Sequence, residues 1–263
     1  MNTIQVVSFS QERQIAKIVI NNSPVNVLSA DVIEQLTLLI EEIENNPEIK
    51  VVIITGDGEK AFVAGGDIKG FPEWMGKGVE EAKKKSLWLQ EPLNKLERLS
   101  LPTIAAINGV ALGGGCELAL SCDIRIAEEQ IKIGLPEIKL GLFPGAGGTQ
   151  RLSRLVGKAK AKEMIFTGEP LNAEEAKQIG LVNHVVPRGK SLEKAMEMAE
   201  SITSFSLPAL SFAKRSIDIG YEQPLEEGLV TEAEYFGHVF QTKDVKEGVE
   251  AFIQKREPKF LDK

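Results

Sequence analysis

The stretch Thr103-Ile-Ala-Ala-Ile-Asn-Gly-Val-Ala-Leu-Gly-Gly-Gly-Cys-Glu-Leu-Ala-Leu120 carries the strongest indication of the fold. Its first five residues form an apolar run, which is typical of a strand in a parallel sheet buried on both faces. After three glycines the apolar residues return, and a helix is predicted to begin near Gly114. A buried strand that turns tightly into a helix predicts an α/β fold with a mostly parallel sheet.

Further strands and helices are predicted on either side of this stretch. Strands are expected at Ile4-Gln-Val-Val-Ser-Phe9, at 14–20 and at Val51-Val-Ile-Ile54. One helix follows Ser29, a predicted N-cap, and another spans about 79–99. After about residue 157 the predicted elements are helices at 158–166, 172–180 (with a capping box of Asn172 and Glu175), 189–203, 207–219, 224–238 and 243–256. We therefore expect a catalytic α/β core in residues 1–200 and a helical region in residues 201–263.

The composition argues against several classes of function. The 263 residues carry a net charge of −7, from 31 basic and 38 acidic residues, so attraction to nucleic acid or to a membrane surface is not expected. The lysines at 83–85 are a local exception, and they are interpreted as a solvated helix face. Two cysteines and two histidines offer neither a disulfide framework nor zinc-ligand spacing. No basic and apolar leader and no bilayer-length apolar stretch is apparent, so the cytoplasm is the expected location.

Three glycine clusters follow predicted strands. Gly56-Asp-Gly-Glu-Lys-Ala61 has the spacing of a dinucleotide fingerprint, but residues 62–72 are poor helix formers, and the fingerprint needs a helix there. Ala64-Gly-Gly-Asp67, taken alone, favours a surface turn. The third cluster is Gly113-Gly-Gly115, at the predicted start of a helix, where N–H groups have no partner within the helix. An oxygen atom can reach the Gly114 N–H because glycine has no side chain. Backbone alone can build an oxyanion site in this way.

Two glutamates could act as acid and base. Glu117 falls in the first turn of the predicted helix and Glu137 follows Pro136, positions where a glutamate also simply compensates a helix dipole. Neither is informative alone. Together with the glycine-lined loops, they supply the oxyanion donors and the proton-handling groups that acid–base chemistry at an activated carbonyl requires.

Two further motifs receive a structural interpretation. Gly145-Ala-Gly-Gly-Thr-Gln-Arg151 lacks the Gly-Lys-Ser/Thr ending of a Walker motif, so a tight turn into a helix is predicted. Cys116 has no histidine near it in sequence and is interpreted as a small buried thiol rather than a nucleophile. The absence of a Gly-x-Ser-x-Gly elbow from the sequence argues against a serine hydrolase.

The chain resembles the enoyl-CoA hydratase, or crotonase, family. The resemblance rests on Ala61-Phe-Val-Ala-Gly-Gly-Asp-Ile-Lys69, Asn108-Gly-Val-Ala-Leu-Gly-Gly-Gly-Cys-Glu-Leu-Ala119 and Leu135-Pro-Glu-Ile-Lys-Leu-Gly-Leu-Phe-Pro-Gly-Ala-Gly-Gly-Thr-Gln-Arg-Leu152. It runs from Pro24-Val-Asn-Val-Leu28 to Thr242-Lys-Asp-Val-Lys-Glu-Gly-Val-Glu-Ala-Phe252. It is specific for the superfamily and less specific for the reaction.

The resemblance implies a spiral of ββα units, followed by helices that build a trimer, commonly paired into a hexamer. It also implies that the N–H groups of Gly66 and Gly114 form an oxyanion hole, although hydratases often have alanine at the position of Gly66. The residues expected along bound coenzyme A are Val25, Asn26, Leu28, Ala64, Asp67, Ile68 and Lys69.

The implied reaction is the addition of water to a trans-2-enoyl-CoA thioester. Glu117 would take a proton from the water and Glu137 would supply one to C2. No metal or redox cofactor is expected, because conjugation already activates the thioester. Two alternatives stay open: a double-bond isomerase, with one glutamate moving a proton between C2 and C4, and a hydratase-like RNA-binding protein.

Large apolar residues near the C-terminus predict either contacts between subunits or packing onto the protein's own core. The stripe in 243–256 consists of Val245, Val249, Phe252 and Ile253, and Leu225, Leu229, Phe236 and Phe240 lie in 224–240. With the family resemblance, they predict a homotrimer or a dimer of trimers. The acyl-chain length is expected to depend on the 70–90 region and on the surroundings of Phe143.

Overall fold

Two sheets and a series of helices make up residues 5–262, which this computed structural model describes. The strands are β1 (Val7–Glu12), β2 (Ile15–Ile20), β3 (Val51–Gly56), β4 (Ala61–Val63), β5 (Thr103–Ile107), β6 (Val110–Leu112), β7 (Ile124–Glu128), β8 (Lys132–Gly134), β9 (Leu171–Asn172) and β10 (His184–Val186). The α-helices are α1 (Ala30–Glu44), α2 (Val79–Arg98), α3 (Gly114–Leu120), α4 (Gly148–Val156), α5 (Lys158–Thr167), α6 (Ala173–Gln178), α7 (Ser191–Thr203), α8 (Leu207–Tyr221), α9 (Leu225–Val239) and α10 (Lys243–Gln254). Short 3-10 helices cover Ile68–Glu73 and Glu137–Leu140.

The larger sheet has the strand order β1-β2-β3-β5-β7-β10 and is parallel except for the β1–β2 pair. Every residue of β3 and β5 is buried, as the apolar runs predicted. One face of the sheet packs against α7, where Ala195 and Ala199 lie against Ile53 and Ile104. The other face belongs to the main core, which includes the buried side of α1. The predicted α/β class with a mostly parallel, doubly covered sheet is confirmed.

The smaller sheet, β4-β6-β8-β9, lies beside the larger one and was not predicted. In three successive units a strand of the larger sheet is followed by a short strand of this second sheet: β3 by β4, β5 by β6, and β7 by β8. The first two of these units continue into α2 and α3, which gives the repeated ββα pattern that the resemblance implies. Strands of only three residues carry too little periodicity to be recognised in a sequence.

Gly115 brings α3 against β4. A Cβ built on Gly115 would stand 1.9 Å from the Val63 carbonyl oxygen, so only glycine permits this close approach. The contact places the first turn of α3 beside the loop that follows β4. The two glycine clusters at Gly66 and Gly114 therefore meet, although they are far apart in sequence.

The predicted elements mostly keep their places, with one displacement near the N-terminus. The strand expected at 4–9 runs from Val7 to Glu12 instead, because it pairs with β2 residue by residue across that span. Ile4 lies outside the described residues. Ser29 caps α1 by accepting a hydrogen bond from the Val32 N–H, and Asn172 with Glu175 forms the predicted capping box of α6.

The last three helices extend beyond the sheets. Helices α8 and α9 pack against each other closely, with a Cβ on Gly228 only 3.0 Å from the Gly220 carbonyl oxygen. The chain then returns to the core, where Asp262 forms a 2.7 Å ion pair with Lys50 just before β3. The Lys50 side chain is 5% exposed and also donates to the Thr203 and Phe205 carbonyls. The C-terminal residues are thereby attached to the central sheet.

Candidate active site

Glu117 is held by two backbone amides from a distant loop. The carboxylate lies on α3, is 3% exposed, and its Oε1 accepts hydrogen bonds of 2.8 Å from both the Ala146 and the Gly148 N–H groups. Burial raises the pKa of this carboxyl, while the two amide bonds and the charge of Arg151 oppose the rise. Glu117 lies in the first turn of α3, and these two donors fix its carboxylate in addition to any interaction with the helix dipole.

Glu137 is less constrained and retains an unpaired oxygen. It begins the 3-10 helix after Pro136, and its Oε2 is buried without a hydrogen-bond partner among the described residues. Burial raises its pKa to about 7, with a smaller contribution from the negative charge of Glu117, while its own backbone N–H opposes the rise. A carboxyl of this kind changes its protonation state near neutral pH, which suits a group that exchanges protons.

Two free backbone donors lie beside these carboxyls. Within residues 5–262, neither the Gly66 nor the Gly114 N–H donates to a backbone or side-chain acceptor. The position that a Cβ on Gly114 would occupy is 3.5 Å from the Gly66 nitrogen and 3.0 Å from Leu28 Cδ1. The missing side chain therefore leaves room next to both amides, where one ligand oxygen can be bound.

The carboxyls and amides open into a cavity of about 2140 Å³. This volume exceeds the roughly 300–1,000 Å³ of ordinary small-molecule pockets, so a long ligand can be accommodated. Much of the lining is apolar and includes Phe71, Trp74, Leu89, Leu112, Leu142 and Phe143. The Phe71 and Trp74 rings stack with centroids 4.4 Å apart. Both regions expected to shape the cavity, 70–90 and the surroundings of Phe143, contribute to its wall.

The residues expected along coenzyme A divide into two groups. Leu28, Ala64 and Ile68 line the cavity together with Gly66. The other four do not line it; they are Val25, Asn26, Asp67 and Lys69. The Asn26 side chain is buried and donates to the Asp57 and Ala61 carbonyls, so it stabilises the turn itself. Asp67 accepts from the Lys69 N–H and caps the 3-10 helix.

The loop at 145–148 is part of the site that sequence reasoning missed. The motif was predicted to be a tight turn into a helix, and Gly147 does precede α4 with φ +108°. Its additional role, to donate two N–H groups to Glu117, depends on a contact between residues about thirty positions apart in the sequence. The available signal was the glycine at the start of a helix, where N–H groups lack internal partners.

Three other expectations concern thiols, metals and membranes. Cys116 is fully buried and burial raises the pKa of its thiol, as expected of a structural cysteine. Across residues 5–262, no three His, Cys, Asp or Glu side chains converge as a metal site would require. In the same part of the chain, none of the helices has the length and hydropathy needed to cross a bilayer.

The chain is similar to known proteins over nearly its whole length. A family model described as enoyl-CoA hydratase/isomerase matches residues 10–263. The short-chain-enoyl-CoA hydratase of Clostridium acetobutylicum is 44% identical over 251 residues, 95% of each chain, and the crotonyl-CoA hydratase of Syntrophomonas wolfei is 39% identical over 96% of each chain. The crystal structure of an enoyl-CoA hydratase from Bacillus anthracis superimposes with a TM-score of 0.92 at 42% identity and covers 98% of this chain and 100% of its own.

Proposed function

The chain belongs to the enoyl-CoA hydratase/isomerase family, and we propose that it is a hydro-lyase that adds water reversibly to a trans-2-enoyl-CoA to give a 3-hydroxyacyl-CoA. The observation that carries the proposal is the presence of Glu117 and Glu137 together in the wall of the cavity, beside the free N–H groups of Gly66 and Gly114. One carboxyl is fixed by two amides, and the other has a buried oxygen with no hydrogen-bond partner among the described residues. The relatives named as hydratases support the same reaction.

The thioester oxygen of the substrate is bound between the Gly66 and Gly114 N–H groups. As water adds to C3, negative charge accumulates on this oxygen, and the two hydrogen bonds strengthen. Donors that are already oriented stabilise the enolate-like state more than the ground state. Glycine at position 66 keeps the donor, because the N–H belongs to the backbone.

The two glutamates divide the proton transfers. Glu117 accepts a proton from the attacking water, since the Ala146 and Gly148 amides and the Arg151 charge favour its ionised form. Glu137, whose pKa of about 7 leaves a protonated fraction at neutral pH, delivers a proton to C2. The net change is one water added, and the proton on Glu117 returns to Glu137 through solvent. Conjugation activates the thioester, so the proposed step needs no metal ion and no redox cofactor.

The proposal includes the assembly and the cellular location. Exposed apolar side chains on α9 and α10 support a homotrimer or a dimer of trimers built by residues 201–263. Phe252 is 86% exposed and Leu225 77% exposed, which is unfavourable unless another surface covers them. The two buried, unpaired cysteines support action in the cytoplasm, where thiols remain reduced.

The decisive experiment is turnover of a ladder of trans-2-enoyl-CoA chain lengths, followed by the loss of conjugated-thioester absorbance. Hydration of at least one member is expected, with a 3-hydroxyacyl-CoA as the product. Conversion of a 3-enoyl-CoA to the conjugated isomer without hydration would instead identify an isomerase. Inactivity on both substrates, combined with salt-dependent RNA binding, would support the RNA-binding alternative, which the net charge of −7 disfavours.

A further inference from the structure

Hydrogen bonds fix both polar groups of the peptide that joins Gly145 to Ala146. Its carbonyl oxygen, on Gly145, accepts hydrogen bonds from Ser86 Oγ at 2.6 Å and from Gln90 Nε2 at 2.9 Å. Its N–H, on Ala146, donates to Glu117. In a trans peptide the C=O and N–H point in opposite directions, so fixing the oxygen against α2 aims the N–H at the carboxylate.

Arg151 fixes the next peptide of the same loop. Its Nη1 donates to the Ala146 carbonyl at 3.2 Å, and its Nη2 donates at 2.7 Å to both Asn94 Oδ1 and Glu97 Oε2. Its Nε reaches Glu97 Oε1 at 3.0 Å. The Arg151 side chain is only 11% exposed. A Cβ on Gly147 would stand 2.1 Å from Nη1, so glycine is required for the guanidinium to approach this closely.

The charges around Glu117 come from several elements. Arg151 on α4 lowers the pKa of Glu117 against the effect of burial. Glu97 on α2 lies behind Arg151, Glu137 faces Glu117 from the 3-10 helix, and Cys116 neighbours Glu117 on α3. Among these groups Arg151 is the cation, so its removal favours the protonated form of Glu117.

On the proposed function, which this inference assumes, we propose that Arg151 is a positioning residue: with Ser86 and Gln90 of α2, it holds the 145–148 loop so that two N–H groups orient the general base Glu117. It does not contact the reacting atoms. A lysine cannot replace it, because one ammonium cannot bond in a single plane to a carbonyl, an amide and both oxygens of a carboxylate.

The kinetic test compares Arg151→Gln with Arg188→Gln. Arg188 is exposed, its guanidinium bonds to Glu59, and neither residue lines the cavity. Arg151→Gln is expected to lower kcat on the order of 10- to 100-fold with little change in KM, because a misplacement of about 1 Å has effects of this size. The low-pH limb of kcat/KM should move to higher pH. A kcat within about twofold of the Arg188→Gln control, with an unmoved limb, would overturn the proposal.

A second readout does not depend on activity. The infrared band of the protonated Glu117 carboxyl, assigned by its loss in Glu117→Gln, should titrate at higher pH in Arg151→Gln than in the unsubstituted protein. A titration of this band at higher pH in Arg151→Gln would support the positioning role even if the protein turned over no enoyl-CoA. Failure to turn over any enoyl-CoA would refute the proposed function. An unmoved band would overturn the positioning role alone.

A third variant separates the effect of the loop geometry at 145–148 from the effect of the Arg151 charge. It also provides a test if Arg151→Gln fails to fold. The double variant Ser86→Ala/Gln90→Ala removes both donors to the Gly145 carbonyl and leaves every charge in place. It is expected to lower kcat and to move the low-pH limb to higher pH by less than Arg151→Gln does, because the amide bonds to Glu117 weaken while the charge of Arg151 stays. An unchanged kcat in this variant would show that the loop orients Glu117 without α2 and would overturn the proposal.

Discussion

Glu137 occupies the space that a side chain on Gly113 would need: a Cβ built on Gly113 comes within 3.0 Å of Glu137 Oε1. Gly113 has φ +51°, so alanine there would be strained as well as crowded. The Gly113→Ala variant should displace the Glu137 carboxyl and reduce hydration. Gly180→Ala is the matched control, since Gly180 has φ +76° and nothing within 4 Å. Both variants should lose thermal stability, but kcat should fall only in Gly113→Ala, and equal activity in the two would contradict the assigned contact.

Replacing either catalytic glutamate by glutamine removes a proton-transfer group and keeps its size. Glu117→Gln and Glu137→Gln should each lower the hydration rate by about 10²–10⁴-fold. Both groups serve the same addition of one water, so the loss of activity in the double variant should be far smaller than the product of the two single losses. Glu193→Gln, at an exposed position on α7, serves as the control for surface charge. Near-normal hydration by Glu137→Gln would exclude the two-glutamate mechanism.

The pH dependence of hydration should report the ionisation of Glu137. Its pKa is raised to about 7, and the reaction needs its protonated form, so kcat/KM should fall as the pH rises through about 7. Hydration consumes no net proton, so its equilibrium constant does not depend on pH. The ratio of kcat/KM for hydration to kcat/KM for dehydration is therefore constant, and dehydration must lose activity over the same pH range. The limb should disappear in Glu137→Gln. A limb that persists in that variant would assign the titration to another group.

Trp74 should limit the length of the acyl chain. Its ring stacks on Phe71 in the cavity wall, and its removal would enlarge the cavity beside these apolar side chains. Trp74→Ala is expected to raise kcat/KM for long enoyl-CoA substrates relative to short ones. Met75→Ala is the control, because Met75 is 71% exposed and does not line the cavity. An unchanged ratio of long to short substrates would place the end of the acyl chain elsewhere.

Light scattering should report three or six chains for the purified protein. Phe252→Glu places a charge on the exposed apolar face of α10 and should shift the protein toward smaller species or aggregates. Lys246→Glu changes the charge of an exposed residue on the same helix and serves as the control. Deletion from Thr242 onward should have a stronger effect than Phe252→Glu. A stable monomer of the unsubstituted protein, independent of concentration, would refute the assembly and leave the active-site proposal intact.

The sequence was most informative where one local rule determined the structure. The run at Thr103–Ile107 became a strand with the predicted bounds, because each of its residues is buried. Ser29 and Asn172 cap the helices that they were expected to cap, since a cap depends on residues only three positions away.

Contacts between distant segments were the part that could not be predicted. The short strands β4, β6 and β8 form only because neighbouring units place them side by side. Asn26 was expected along coenzyme A from the resemblance, yet its side chain bonds to carbonyls more than thirty residues away. The amides that hold Glu117 have no periodic signal at all. The roles of Gly66, Gly114 and both glutamates stay predictions until the variants are measured.

The ion pair between Lys50 and Asp262 affects when the central sheet reaches its full stability during synthesis. Asp262 is synthesised long after Lys50, so the buried ammonium lacks this carboxylate partner until residue 262 has left the ribosome. Removing one member of such a pair costs about 3–5 kcal/mol, and chains that end before Asp262 should therefore exchange the amide protons of β3 faster than chains that include it. Protection of β3 that is equal in both would show that the pair forms too late or too weakly to matter. The segment around Asp262 thus stabilises the central sheet, which reaches its full stability only after this segment has left the ribosome.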